Sequence, residues 1–415
     1  MERITAKYLI ETPLEVEAAA QVLAGEQSSG TFVEVPGETA ELKRRFAARV
    51  ESITPLETVT EPAIPGAVSD KRLYHRAMLE VSWSIENFGY NLPVLISTLQ
   101  GNLYELTQFT GLKLMDLEVP SSFATHFSGP KFGIKGCRQL TGVEERPLIG
   151  TIIKPSIGMT PQQTADLVKT LAEAGIDFVK DDELMSASAN SSFEDRLDMV
   201  TRVINDHADK TGKKVMYAFN ITDEIDVMLR RYEKIVASGG TCAMVSLNSV
   251  GLAGVKKVCD QGQLAIHGHR NGWGMLNRHP FLGIEFPAYQ KLWRLAGVDQ
   301  IHVNGIQNKF WESDDSVVRS IEACLKPMLG GYSVLPVVSS GQWGGQAPET
   351  YRRTQTTDLL YMAGGGIMAH PSGPCGGVVA MRQAWEAAVQ GLTVEEAARQ
   401  YPEFRESVEK FGTRK

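Results

Sequence analysis

Cysteine is scarce: Cys137, Cys242, Cys259, Cys324 and Cys375 are scattered along 415 residues, odd in number and without a C-x-x-C pair. That excludes a disulfide framework and a thiolate zinc knot, and it suits reduced packing thiols. Long apolar runs are missing too, and none approaches the ~20 residues of a membrane span. The opening MERITAKYLIETPLEVEAAA places Glu2, Glu11, Glu15 and Glu17 where a secretory leader needs an apolar core, so the expectation is a cytoplasmic chain with no membrane partner. There is no basic block: 42 Lys and Arg against 49 Asp and Glu leave a formal charge of -7, which argues against a nucleic-acid partner. Internal repeats, low-complexity linkers and a GxGxxG after the first apolar strand are also absent, the last counting against a dinucleotide-binding sheet.

What is present is a rhythm. From about Pro147 the β-rich runs LIGTIIK, DFVKDD, KVMYAFN, CAMVSL, LAIHGH, QIHVNG, SVLPVVS and LLYMAGGG alternate with helical stretches. Eight such alternations predict an α/β fold with a C-terminal (β/α)8 barrel, the open doubly wound sheet being the alternative. The first intervening helix shows the grammar: Thr160 as N-cap, Pro161 in the first turn, Gln163 completing a capping box, Leu167, Val168 and Leu171 as an apolar stripe, and Gly175 as the stop. Residues 1–140 read as an N-terminal α+β domain, with strand-like ITAKYLIE and TFVEV, helices over Glu15–Leu23 and Glu41–Arg49, then VLISTLQ and a Gly101-Asn102 turn. Residues 141–415 hold the barrel and a helical tail after Thr393.

In a parallel barrel the chemistry sits where strands end at the C-terminal rim. Here those ends are polar: Lys154 on the first strand, Lys180 to Glu183 on the second, Asn220 on the third, His267, His269 and Arg270 on the fifth, His302 on the sixth and Ser339 on the seventh. The eighth runs into Gly364, Gly365 and Gly366. In GIDFVKDDE, strand alternation puts Lys180 and Asp182 on one face and Asp181 on the other, with Glu183 free to turn back. A plain charge cluster at a strand end is one reading. The other is a magnesium site, because a lysine combined with CO2 becomes a carbamate, a hard oxygen ligand beside two carboxylates. His267 and His269 could pair on zinc, although the hard-oxygen cluster favours magnesium, which leaves His269 for proton transfer or substrate contact and His267 as a possible core residue. Gly341 and the Gly364–Gly366 run suit a backbone phosphate cradle as well as tight turns, and Lys309 and Arg270 could add positive charge to it.

These motifs resemble the RuBisCO large-chain family, along nearly the whole chain. GTIIKPSIG, GIDFVKDDE, HGHR, the His302 strand with Lys309 seven residues on, GGGIMAHPSG, and in the N-terminal part GEQSSGT and Gly101-Asn102 carry the likeness. The resemblance implies one Mg2+ per subunit on carbamylated Lys180, Asp182 and Glu183, Lys154 as the proton-transfer lysine, and His269 on a substrate hydroxyl. It further implies Arg270, His302 and Ser339 at one end of a phosphorylated substrate, with Thr31, Lys309, Gly341, Gly364 and Gly365 on a phosphate. Glu26 and Asn102 would reach in from a partner subunit, making a homodimer or higher homo-oligomer with shared active sites the active unit. Departures point away from CO2 fixation: Ser156 stands where the carboxylases carry a second lysine, Ser340 where they carry glycine, and Phe32 where they carry tryptophan. The expectation is therefore a RuBisCO-like enzyme of the 3-oxo-isoapionate 4-phosphate decarboxylase kind, forming an enediolate from a phosphorylated keto acid or keto sugar. The alternatives are an enolase or isomerase of methylthioribulose-type phosphates, a transcarboxylase/hydrolase of the same oxo-acid phosphate, and a non-catalytic sugar-phosphate-binding barrel.

Overall fold

The computed structural model of the chain describes residues 2–29, 35–64, 72–185 and 187–412. In chain order its strands are β1 (Arg3–Thr12), β2 (Arg49–Val59), β3 (Tyr74–Ser84), β4 (Gly111–Glu118), β5 (Leu148–Ile152), β6 (Phe178–Lys180) and β7 (Met216–Asn220). Then come β8 (Cys242–Ser246), β9 (Ala265–His269), β10 (Leu282–Ile284), β11 (Gln300–His302), β12 (Leu335–Val338) and β13 (Leu360–Met362).

Two compact units emerge. One comprises residues 1–128 together with 272–295, the other residues 129–271 and 296–415. The first unit holds the sheet β10-β4-β1-β3-β2. Its central strands alternate as amphipathic strands do: Ile4, Ala6, Tyr8 and Ile10 of β1 are buried, and Leu79, Val81 and Trp83 of β3 join them. β10 comes from the 272–295 insertion and pairs parallel to β4 through Leu282, Gly283 and Ile284. That insertion, carried between two barrel strands, has no marker in the sequence rhythm. The expected strand TFVEV falls largely on residues outside the described ones. VLISTLQ lies within and just beyond a helix, Leu92–Leu99, that starts at an Asn91 cap with Pro93 in its first turn.

In the second unit β11-β12-β13-β5-β6-β7-β8-β9 close into a parallel barrel. The barrel is filled, not hollow: Leu148, Phe178, Met216, Met244, Leu335, Val337, Leu360 and Met362 form its core. Such strands read as nearly continuous apolar runs because both faces are covered. The helix Gly133–Thr141 belongs to this unit rather than to the one before it, since its Cys137 joins the barrel core and the Phe132 and Gly133 N–H groups donate to buried Asp299 at 2.6 and 2.9 Å. The helix Pro161–Glu173 carries the capping box from Thr160 and Gln163 that the sequence indicates. The tail is not one helix. Thr393 caps Val394–Gln400, Tyr401 turns extended, and Pro402, which cannot donate within a helix, opens a new one over Pro402–Phe411.

Candidate active site at the barrel rim

β6 ends the second barrel strand at Lys180, whose side chain turns into the barrel and is 1% exposed. Its amine donates to the Asp181 carbonyl at 2.8 Å, touches Met244 Sδ at 3.4 Å and faces Glu183 Oε2 at 3.7 Å. Burial pushes the Lys180 ammonium below the ordinary lysine range against the pull of Glu183, Asp182 and Asp181. A lysine held this way reaches its neutral, nucleophilic form more readily than a surface one.

The three acids after Lys180 part company. Asp181 turns away: Tyr217 Oη donates to it at 2.5 Å, the Asn220 N–H at 2.9 Å and Arg196 Nε at 3.3 Å. Its role is structural, tying the second and third strands to the helix Phe193–Thr211. Asp182 turns to the rim, where Lys154 Nζ donates to its Oδ2 at 2.6 Å and the Leu184 N–H to its Oδ1 at 3.1 Å. Burial raises the Asp182 carboxyl, but these hydrogen bonds outweigh it and leave the group below the usual carboxylate range. Glu183, a third exposed, faces both Lys180 and His269 Nε2, the latter at 3.5 Å. Burial holds His269 neutral, its pKa pushed down to about 3.

The other rim residues join in sequence. Lys154 also donates to Ser156 Oγ at 2.6 Å, so the serine that replaces a second lysine is bonded to the first. A side chain at Gly364 would come within 3.9 Å of Lys154 Cε, which places the glycine run beside that lysine. Lys309 lies against the seventh strand end: its N–H donates to the Ser340 carbonyl at 3.2 Å, and a Cβ on Gly341 (φ +81°) would stand 3.3 Å from Lys309 Cβ. Its amine sits over the Phe310 ring, 5.2 Å from the centroid. Arg270 donates to Glu312 Oε2 at 2.9 Å, and both side chains are buried. His267 does not pair with His269. Its Nδ1 meets Gln300 Oε1 at 2.8 Å and its Nε2 meets His302 Nε2 at 2.9 Å, so both nitrogens are engaged in the core and the zinc reading loses its histidine pair. His302 Nδ1 continues to Ser339 Oγ at 2.9 Å.

Lys154, Lys180, Asp182, Glu183 and His269 are thus brought together, as are His302 with Ser339 and Lys309 with Gly341. Glu26 and Asn102 lie in the first unit, where Asn102 Nδ2 reaches Glu26 Oε1 at 3.4 Å. Thr31 and Phe32 lie outside the described residues. Sequence reasoning missed Gln300, Asn304 and Glu312. Gln300 had a signal: it sits two residues before His302 on a buried strand, so alternation turns both to the same face. Glu312, 4% exposed between Trp311 and the cap residue Ser313, had none.

A closed parallel barrel with a lysine and carboxylates at the C-terminal ends of its first two strands defines an enzyme of the barrel class with its site at the rim. The chain belongs to the ribulose bisphosphate carboxylase large-chain family: the model of its catalytic domain matches residues 133–411 and that of its N-terminal domain residues 2–123. It is 52% identical over 409 residues to the 3-oxo-isoapionate-4-phosphate transcarboxylase/hydrolase of Xanthobacter autotrophicus, spanning 98% of this chain and 99% of that one. It is 48% identical to the 3-oxo-isoapionate-4-phosphate decarboxylase of Rhizobium etli, over 99% of both chains. The crystal structure of a rubisco-like protein from Burkholderia fungorum superposes with a TM-score of 0.92 at 41% identity, covering 99% of this chain and all of that one.

Proposed function

We propose that this protein is a RuBisCO-like carbon-carbon lyase that decarboxylates a β-keto-acid sugar phosphate, with 3-oxo-isoapionate 4-phosphate as its substrate, and that it does not fix CO2. The observation that carries the reading is the triangle of Lys154, Asp182 and Ser156: one rim lysine, oriented by a carboxylate and a hydroxyl, with no second cation beside it. Carboxylation builds negative charge that a second ammonium would offset by several kcal/mol, whereas loss of CO2 from a β-keto acid needs one proton donor for the carbon left behind. The Lys154 ammonium, held by Asp182, would supply that proton. His269, neutral and buried, would contact a substrate hydroxyl, while Arg270, His302 and Ser339 would hold one end of the molecule. Lys309, Gly341, Gly364 and Gly365, with Thr31, would take its phosphate.

The donor set fits magnesium on one condition. Among the described residues no group of three histidine, cysteine, aspartate or glutamate side chains could hold a metal, so Asp182 and Glu183 need a third anionic ligand. Lys180 as a CO2 carbamate would be that ligand, and its burial favours the neutral amine that combines with CO2. Bound there, magnesium would act as a Lewis acid on the substrate ketone. The closeness of Glu26 and Asn102 supports a shared site in which both reach the barrel rim of a partner subunit in a homodimer. Among the described residues no helix is long and apolar enough to cross a membrane.

Transcarboxylation with hydrolysis is the second reading, favoured by the 52% identical relative that carries that name. Incubation with magnesium and bicarbonate followed by 3-oxo-isoapionate 4-phosphate separates the two: a decarboxylase releases CO2 in step with substrate loss, while retention of the carboxyl group in a product selects the second reading. Turnover of methylthio-diketopentyl phosphate alone overturns both.

A further inference from the structure

We infer that Gln300, buried in the barrel core beneath the rim, is a positioning residue that sets the proton direction of the His267–His302–Ser339 relay and leaves Ser339 able only to accept a hydrogen bond from the substrate. The inference rests on the proposed reading only in placing Ser339 against substrate; the direction of the relay stands without it.

Start at the closed end. The Gln300 amide nitrogen lies 3.2 Å from both Cys137 Sγ and Met216 Sδ, and its oxygen faces His267 Nδ1 at 2.8 Å. Turning the amide over would set a carbonyl oxygen against a thioether that has no proton to give, so this orientation is the satisfied one. His267 Nδ1 must then carry the proton, and in a neutral ring Nε2 is bare. The bare nitrogen accepts from His302 Nε2–H at 2.9 Å. His302 Nδ1 is bare in turn and accepts from Ser339 Oγ–H at 2.9 Å. A charge on either ring would set two N–H groups against each other or against Ser339, and burial presses both rings toward the neutral form.

The neighbouring serine closes the other escape. Asn304 Nδ2 donates to the Glu312 carboxylate at 2.5 Å, so Asn304 Oδ1 is turned toward Ser340 and accepts its hydroxyl proton at 2.7 Å. Ser340 has no proton left for Ser339, 3.4 Å away. Glu312, an acceptor only, terminates this second chain as the Gln300 oxygen terminates the first. Both serine protons are therefore committed inward, and the Ser339 lone pairs remain for a group that donates. The chemical class favoured is a substrate hydroxyl; a fully ionised phosphate or a carboxylate oxygen is repelled there.

Neutron diffraction from crystals of the full chain grown in deuterated buffer near neutral pH reads the relay without any substrate. Deuterons are expected on His267 Nδ1 and His302 Nε2, with the Ser339 deuteron on the line to His302 Nδ1. A deuteron on His267 Nε2, or a Ser339 deuteron pointing away from His302, overturns the inference whatever the substrate proves to be. Crystals soaked in sulfate, which only accepts, are expected to show none bonded to Ser339 Oγ, and sulfate accepting from that hydroxyl overturns it as well. In Gln300→Leu the first acceptor is gone, and 15N signals from labelled histidine should show the His267 tautomer redistributed; a folded variant with the wild-type tautomer pattern shows that Gln300 does not set it.

Discussion

Lys154 Nζ stands 2.6 Å from Asp182 Oδ2 and 2.6 Å from Ser156 Oγ, so the ends of the first two barrel strands are joined through one amine. A lysine at 156 would bring a second ammonium to the same carboxylate. In Ser156→Lys the two cations compete for Asp182, Lys154 loses its fixed place, and decarboxylation should fall by about tenfold or more, the effect of misplacing one proton-transfer group. Measurement of kcat on 3-oxo-isoapionate 4-phosphate checks this. A variant as fast as the parent would mean that Ser156 does not orient the lysine.

Lys180 is the next test. In Lys180→Met the side-chain volume is nearly kept while the amine is lost. Magnesium titration in the presence of bicarbonate should then give no saturable heat, and the carbamate signal of 13CO2-treated protein should vanish together with activity. Magnesium binding at parent strength in this variant would separate the metal from Lys180.

Much of this site could be read from the chain because parallel-barrel strands end where the chemistry is, and strand alternation assigned Lys180 and Asp182 to one side and Asp181 to the other. Asp181 indeed turns to Tyr217, Asn220 and Arg196. The barrel strands were legible for the same reason: their runs are apolar throughout. What escaped depends on contacts between residues far apart in sequence. β10 is three residues whose pairing to β4 joins positions about 170 apart. Glu312 gains its meaning only when Arg270, Asn304 and Ser316 converge on it from three directions. The tail helices parted at Pro402, a local signal that the amphipathic stripe on either side concealed.

Asp181 and Arg196 form an ion pair with neither side chain exposed. Asp181→Ala leaves the guanidinium buried beside Tyr217 without its anion, and breaking a buried pair from one side costs about 3–5 kcal/mol. Urea unfolding should show a midpoint lowered accordingly. Asp181→Asn, which keeps the shape and an acceptor for Tyr217, should lose less.

Asp299 gives a pH dependence of known sign. Burial raises its carboxyl to about 6 although the N–H groups of Gly133, Ile266 and Phe132 pull the other way. An acid whose pKa is higher folded than unfolded holds its proton more tightly in the fold. Its stabilisation is therefore full below the unfolded value and is lost as pH rises through the folded one. Between about pH 5 and pH 8 that loss is on the order of 1 kcal/mol. Asp299→Asn cannot titrate, so although it is less stable throughout, its unfolding free energy should decline less across this window than the parent's. Equal slopes in paired urea titrations at the two pH values would remove Asp299 as the source.

Shared sites make a prediction that no property of a single subunit can imitate. Glu26 and Asn102 lie together in the first unit, while Lys180 ends a barrel strand of the second. If the first pair completes the rim of the partner, Glu26→Gln homodimers and Lys180→Met homodimers should each be inactive. Co-expressed with different tags and purified through both, the heterodimer has one site that carries both lesions and one that carries neither. It should recover about half the parent activity per dimer, because intact sites work independently when no coupling links them. A heterodimer as inactive as its parents would place Glu26 in the same site as the Lys180 of its own chain, and the active unit would not need the second subunit.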